Sequence, residues 1–119
     1  MQVAAQGDPW WVGKAARLCA LMAGRESAYG YDLDSARAAA RRLAGHESVN
    51  RLLYALKAND QPDLLRALAG EGMAFECVSL AEVNYVLGSV PGSRAQDILF
   101  TPNFAPRAEY EAALELGVQ

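Results

Sequence analysis

Lys57 closes the apolar run Leu52-Leu53-Tyr54-Ala55-Leu56, and the polar turn Ala58-Asn59-Asp60 follows at once. Five consecutive apolar residues bounded by polar ones read as a strand buried on both faces, over about residues 51–57. Side chains alternate along a strand, so Leu53, Ala55 and Lys57 share a face. If that face is inward, Lys57 sets an amine at the carboxyl end of the strand, where α/β folds place their ligands. A lysine desolvated there has a lowered pKa, and its neutral amine can attack a carbonyl carbon to form a Schiff base. An ordinary solvated strand end also supplies such a lysine, so its position alone leaves both readings open.

Two carboxylates follow at a spacing that suits the same chemistry. Glu76 lies within the apolar segment Ala74-Phe75-Glu76-Cys77-Val78, and Glu82 comes six residues later. A carboxylate near a cofactor can hold a ring nitrogen or a catalytic histidine in its charged form. Each has a plainer reading. Glu76 could lie on an exposed edge strand. Ser79-Leu80-Ala81-Glu82 is a capping box, in which Glu82 bonds back to the cap amide. Glu71, between Gly70 and Gly72, reads as surface. His46, after Gly45, has no serine or cysteine partner and reads as exposed.

The totals narrow the field. The chain has 119 residues, 52% of them hydrophobic, with a formal charge of −3. That suits one modest globular domain with its own core. The basic residues are scattered apart from Arg41-Arg42, which disfavours nucleic-acid binding. No apolar run approaches the roughly 20 residues of a membrane span. Residues 1–9 lack the basic and apolar regions of a signal peptide. Cys19 and Cys77 form no CxxC pair and read as reduced, semi-buried thiols of a cytoplasmic protein. With a single histidine, no metal site is expected. No GxGxxG or phosphate-cradling loop is present.

The elements that must position these residues can be read in order. Trp11, Ala15, Leu18 and Met22 recur at helical spacing before Gly24. Trp10 and Trp11 could form a ligand platform, but aromatics at that spacing more often pack. Residues 28–31 read as a short strand. Asp32, Asp34 or Ser35 caps a helix with an apolar face of Leu33, Ala36, Ala40 and Leu43, ended by Gly45. After the lysine strand, Asn59, Asp60 or Gln61 caps a helix that has Pro62 in its first turn and Leu64, Leu65 and Leu68 inward. Residues 74–78 form the next strand. Val83, Val86 and Leu87 are the buried stripe of the helix after it, and Gly88 stops that helix. Residues 97–101 form a further strand. Pro106 opens a helix with Tyr110, Ala113 and Leu114 on one face, ended by Gly117, and Val118-Gln119 start another strand. Strand and helix alternate with short connections, which calls for a parallel sheet with right-handed crossovers. An open doubly wound sheet and a (β/α)8 barrel both begin this way, and a barrel needs about 250 residues. The unfinished pattern at residue 119 favours the first part of a barrel.

The motifs themselves resemble a known family. Tyr54-Ala55-Leu56-Lys57-Ala58-Asn59 is similar to the YAxKAN motif of the pyridoxal-phosphate-dependent decarboxylases with the alanine-racemase-like barrel. Residues 75–82 resemble their FDVVSxxE motif, and residues 98–103 resemble their third barrel strand. Tyr29-Gly30-Tyr31-Asp32-Leu33 resembles the segment that leads into the barrel. Within the family the diaminopimelate decarboxylases are most similar. Residues 100–106 are similar to the decarboxylase half of bifunctional aspartate kinase–diaminopimelate decarboxylases.

The resemblance implies a fold, a cofactor and roles. Residues 1–26 would be a helical lead-in. Residues 27–119 would be about three βα units of a (β/α)8 TIM barrel that binds pyridoxal 5'-phosphate. Lys57 would be the catalytic Schiff-base lysine. Ala55 would lie beside the cofactor ring. Glu76 would replace the family's aspartate near the cofactor, with one more methylene. Glu82 would be a second acidic residue at the site, and Asn103 would lie at the barrel mouth. The implied reaction converts meso-diaminopimelate to lysine and carbon dioxide, and the implied assembly is a cytoplasmic homodimer. The family's phosphate loop and later catalytic residues would lie beyond Gln119. This piece by itself is therefore expected to be inactive, with an unpaired sheet edge. Two other readings belong beside this one. They are an ornithine or arginine decarboxylase of the same fold, and a non-catalytic pyridoxal-phosphate carrier or decarboxylase-like regulatory protein that has lost activity. A small flavodoxin-like domain would have Lys57 as a mere strand end.

Overall fold

The apolar run before Lys57 does form a strand, but a shorter one than its length suggests. In a computed structural model, which describes residues 7–119, strand β1 is Leu53–Ala55 and the chain then tightens into a 3₁₀ turn, Leu56–Ala58. Pairing with the next strand ends at Ala55, and the Asn59 amide bonds back to the Leu56 carbonyl at 3.1 Å. Lys57 therefore sits on the turn and is exposed, rather than inside a strand. The polar residues after Leu56 gain hydration by leaving the sheet, while Leu56 stays buried.

The remaining elements run in chain order. Helix α1 is Ala15–Met22, after the 3₁₀ turn Val12–Lys14, and helix α2 is Leu33–Ala44. Helix α3 is Pro62–Gly70, strand β2 is Ala74–Cys77, and helix α4 is Leu80–Ser89. Strand β3 is Ile98–Phe100 and helix α5 is Arg107–Leu116.

The three strands are parallel in the order β1-β2-β3. Gln119 continues that order: its amide bonds the Ile98 carbonyl at 3.0 Å, and its carbonyl accepts from the Phe100 amide at 2.8 Å. A doubly wound sheet reverses direction and so carries helices on both faces. This sheet never reverses, and its core lies on one side. Tyr54, Leu56, Phe75, Cys77, Ile98 and Phe100 pack with Leu65 of α3 and with Val83, Val86 and Val90. The opposite face carries the row Ala55–Glu76–Leu99 and has no helix over it among the described residues. A sheet clad on one side by successive right-handed crossovers is the wall of a barrel. The one-directional order fits a barrel wall, and one half of a doubly wound sheet shares it, since its reversal comes only after the third strand.

Local chemistry explains the boundaries. Gln61 caps α3, its Oε1 accepting from the Leu64 amide at 2.8 Å, and Pro62 takes the first helical position. Gly117 ends α5 at φ +83°, a left-handed conformation that a side chain would strain. Gly88 does not stop α4. The helix runs on to Ser89, and the Val90 amide bonds the Val86 carbonyl at 2.9 Å because Val90 is drawn into the core.

Several other expectations need correction. Residues 28–31 form no strand: no neighbour pairs with them, and Tyr29 is 92% exposed. Asp32 stands at the start of α2 without capping it, since its carboxylate is taken by Lys14 and Ser35. Cys19 is exposed and Cys77 fully buried, so neither is semi-buried. The apolar stripe of α1 buries no residue completely. Trp10 and Trp11 pack edge to face on each other, with ring centres 5.9 Å apart. Glu71 is largely buried and accepts from Arg41 of α2 at 2.6 Å, which ties α2 to the end of α3.

Candidate functional site

The carboxyl ends of β1 and β2, and the turns that follow them, bring the acidic and basic candidates to one end of the sheet. Glu76 lies on the central strand, so the edge-strand reading does not hold. It is half-buried on the uncovered face, directly beside Ala55 in the β1–β2 register. Its carboxylate accepts a hydrogen bond from the Thr101 hydroxyl, just past β3. A half-buried carboxylate without a partner would be costly, and Thr101 supplies one.

Glu82 forms a capping box of slightly different geometry from the expected one. Its amide donates to Ser79 Oγ at 3.2 Å. Its Oε2 accepts from the Val78 amide at 2.7 Å, one residue before the cap. Glu109 of α5 accepts from the Leu80 amide at 2.6 Å. The first turn of α4 is thus satisfied by this chain's own side chains.

A cavity of about 680 Å³ opens at this end. Its walls include Lys57 and Asn59 from the turn after β1, Glu82 and Tyr85 from α4, and Tyr31 from the segment before α2. Lys57 is one of two lysines in the chain. The other, Lys14, is ion-paired with Asp32, whereas Lys57 is in no ion pair among the described residues. Lys57 and Glu82 therefore meet at one cavity, whereas Ala55 and Glu76 meet on the uncovered face of the sheet and line no part of that cavity. Asn103 is exposed in the loop after β3 and lines no part of the cavity.

Three polar side chains at this site were not legible as such. Asn59 Nδ2 donates to the Tyr31 hydroxyl at 3.2 Å, and Asn59 Oδ1 accepts from the Gln61 amide at 3.0 Å. Tyr85 donates to the Asp60 carbonyl at 2.9 Å. The signal for Tyr85 was its place three residues after Glu82, on the same side of α4.

A second cavity, of about 530 Å³, lies at the opposite end of the strands and is lined by Arg51, Arg66 and Arg94. Their guanidiniums are already engaged. Arg66 donates to Asp63 and to the Ser89 carbonyl, Arg51 to Gln119 and to the Asp97 carbonyl, and Arg94 to Asp97. The C-terminal end of α3 also faces this cavity through Ala69 and Gly70, and a helix C-terminus repels anions.

Cys77 lies under the site on the helix side of β2. Burial, and then the nearby charges of Glu82 and Glu76, push its thiol from an ordinary 9.0 up to about 12. The folded chain thus keeps a proton that the unfolded chain releases near 9.0. This stabilisation is complete below pH 9 and is lost as pH rises from 9 toward 12. We expect an aromatic disulfide reagent at pH 8 to titrate one thiol, Cys19, in the folded chain and two in urea. Two fast thiols in the folded chain would contradict this burial.

Among the described residues no three His, Cys, Asp or Glu side chains cluster as a metal site. No described helix is long and apolar enough to cross a membrane.

Comparison with known proteins bears on this geometry. Residues 33–119 match the family model for the pyridoxal-dependent decarboxylases, specifically their pyridoxal binding domain. The diaminopimelate decarboxylase of Deinococcus radiodurans is 36% identical over 89 residues, covering 75% of this chain and 23% of that protein. The crystal structure of a diaminopimelate decarboxylase from Helicobacter pylori, complexed with L-lysine, superposes with a TM-score of 0.65 at 30% identity. That match covers 74% of this chain and 22% of that one. The ornithine decarboxylase structure from Entamoeba histolytica gives a TM-score of 0.69 at 26% identity, over 89% of this chain and 33% of that one. The chain thus spans about a quarter to a third of the length of these relatives.

Proposed function

Because this chain belongs to the pyridoxal-dependent decarboxylases, matching their pyridoxal binding domain over residues 33–119, we propose that it forms the first part of a barrel that decarboxylates meso-diaminopimelate to lysine. The lead-in would end near residue 26, the barrel segment would begin near residue 27, and the whole protein would work as a homodimer. The cofactor of the family is pyridoxal phosphate. The observation that carries the reading is Lys57, an amine outside any described ion pair, on the wall of a cavity of about 680 Å³ at the carboxyl end of a parallel sheet.

The residues present fit one end of that cofactor. An amine, two acidic residues and three tyrosines around one cavity suit an aldehyde on a flat ring. The phosphate is served less well by the starts of α3 and α4, which are capped internally: Gln61 takes the Leu64 amide, Ser79 the Glu82 amide and Glu109 the Leu80 amide. Its anion partners would come from other parts of the longer protein. When bound, the cofactor supplies an electron sink for the pair left on the substrate carbon as carbon dioxide departs.

The chain's own residues do the rest. Lys57 would hold the cofactor through Nζ. Ala55, with a single methyl group, leaves room beside β1 for a flat ring. Glu76 would present a carboxylate to the cofactor, its orientation set by the Thr101 hydroxyl. Glu82 holds the turn between β2 and α4 through the Val78 amide, which keeps that wall of the cavity in place.

Diaminopimelate is preferred over ornithine or arginine as substrate because the match to the Deinococcus enzyme is longer, 89 residues at 36% identity, whereas the ornithine decarboxylase of Nicotiana glutinosa matches at a similar 35% over 68 residues. The test is to supply the whole protein with meso-diaminopimelate, ornithine and arginine in turn and to measure carbon dioxide release. We expect release from meso-diaminopimelate at least about tenfold faster than from the others, within the range a polar pocket can discriminate. Faster release from ornithine or arginine would reassign the substrate. Visible cofactor absorbance with no release from any of them would make the protein a carrier.

A further inference from the structure

Tyr85 has an environment that the decarboxylase reading does not require. It is on α4 and 37% exposed, and a hydroxyl in that setting ordinarily bonds water. Instead it donates to the backbone carbonyl of Asp60 at 2.9 Å, across 25 residues of sequence. Among the described residues it makes the one side-chain hydrogen bond between α4 and the loop that carries Lys57. From the structure we infer that Tyr85 is a positioning residue for Lys57, a cross-brace that fixes the Lys57 loop against the helix bearing Glu82.

The argument follows the chain outward from the amine. Lys57 occupies a single 3₁₀ turn, closed by the Asn59 amide on the Leu56 carbonyl. One turn of 3₁₀ helix is weak by itself, so its placement depends on the segment after it. Asn59 is extended (φ −171°), and its side chain closes a local turn onto the Gln61 amide. Gln61 then caps α3. Asn59 also donates to the Tyr31 hydroxyl, which lies on an exposed, irregular segment. Asp60 stands between Asn59 and Gln61, and its carbonyl is the point where Tyr85 attaches the loop to α4. Glu82 and Tyr85 are three residues apart on that helix and line the same cavity as Lys57. The brace thus sets the separation between the amine wall and the carboxylate wall. Displacing a reacting group by about 1 Å can cost on the order of a hundredfold in rate, so a hydrogen bond at this place controls reactivity more than stability.

This inference rests on the proposed role of Lys57, and its test separates the two. The whole protein is incubated with pyridoxal phosphate, reduced with borohydride and mapped by peptide mass, with Lys14 as the internal reference. The visible absorbance of the unreduced sample is recorded alongside, and all samples are held well below their melting temperature. In the wild-type chain the cofactor is expected mostly on Lys57. In Tyr85→Phe, which keeps the ring and loses the hydroxyl, the Lys57-to-Lys14 ratio should fall about threefold to tenfold, the equivalent of one lost hydrogen bond. The visible band should weaken with it. A phenylalanine variant that is folded and keeps the wild-type ratio and band overturns the brace while leaving Lys57 in its role. If wild-type Lys57 is labelled no better than Lys14, the functional reading fails and the brace falls with it. Tyr85→Leu, which has no side-chain donor, should lower the ratio as Tyr85→Phe does, and a folded Leu variant with the wild-type ratio also overturns the brace.

Discussion

On the proposed function, Lys57→Ala is expected to remove pyridoxal phosphate and, in the whole protein, to lower decarboxylation by at least about a thousandfold, the scale seen when a covalent participant is lost. The chain's composition makes the result unambiguous. It contains two lysines, and Lys14 is held by Asp32 at 2.5 Å. An ammonium in such a pair must break it before it can act as a nucleophile, so loss of Lys57 leaves no substitute on the described surface. Lys57→Arg sharpens the test. Arginine keeps the positive charge and the reach but stays protonated at any working pH, and so cannot attack a carbonyl. If charge alone matters, Lys57→Arg retains activity; if the amine is the nucleophile, it is as inactive as Lys57→Ala. Near-wild-type turnover in either variant would remove Lys57 from the mechanism. Attachment of the cofactor to Lys14 in the wild-type chain would do the same.

Leu65→Ala should cost about 2–5 kcal/mol of folding stability, read as a lower urea midpoint with an unchanged slope. Leu65 is fully buried at the centre of a core built on one side of the sheet, against Phe75, Cys77, Val83 and Val86. Truncation leaves a cavity there, and three short strands offer little freedom to collapse into it. Typical domains have about 5–15 kcal/mol in total, so this one change consumes a large share. The control is Leu114→Ala on α5, where the side chain is 72% exposed and the expected change is within about 0.5 kcal/mol. Equal shifts for the two variants would mean that the core is not where the packing puts it.

The one-sided core also accounts for the shape. The radius of gyration is 17.4 Å, against about 13.5 Å for a tightly packed chain of this length. The face carrying Ala55, Glu76 and Leu99 has no helix over it, and α1 buries none of its residues completely. In a barrel wall that face turns toward the axis, where a cofactor and the remaining strands complete the packing.

Much of this was written in short stretches of sequence. Alternation of apolar strands with helices of 3.6-residue period required a parallel sheet. Gln61-Pro62, the Ser79–Glu82 box and Gly117 marked helix ends where the structure has them, because capping depends on residues three or four apart and is settled locally. The motif around Lys57 pointed to amine chemistry for the same reason: residue type and strand position are both local. Tertiary structure decided what depends on distant segments. The direction in which the sheet winds is a property of three strands together, and it put the core on one side of the sheet. The partner of Glu76 is Thr101, 25 residues away, and Tyr85 finds Asp60 across the same separation. Hydrogen bonds of that kind exist only once strand register has brought two loops to one end of the sheet, and no local propensity encodes them. Lys57 itself shows both levels. Its sequence neighbourhood determined that an amine stands at the end of β1, and the early end of β1–β2 pairing decided that it stands on a turn, facing a cavity.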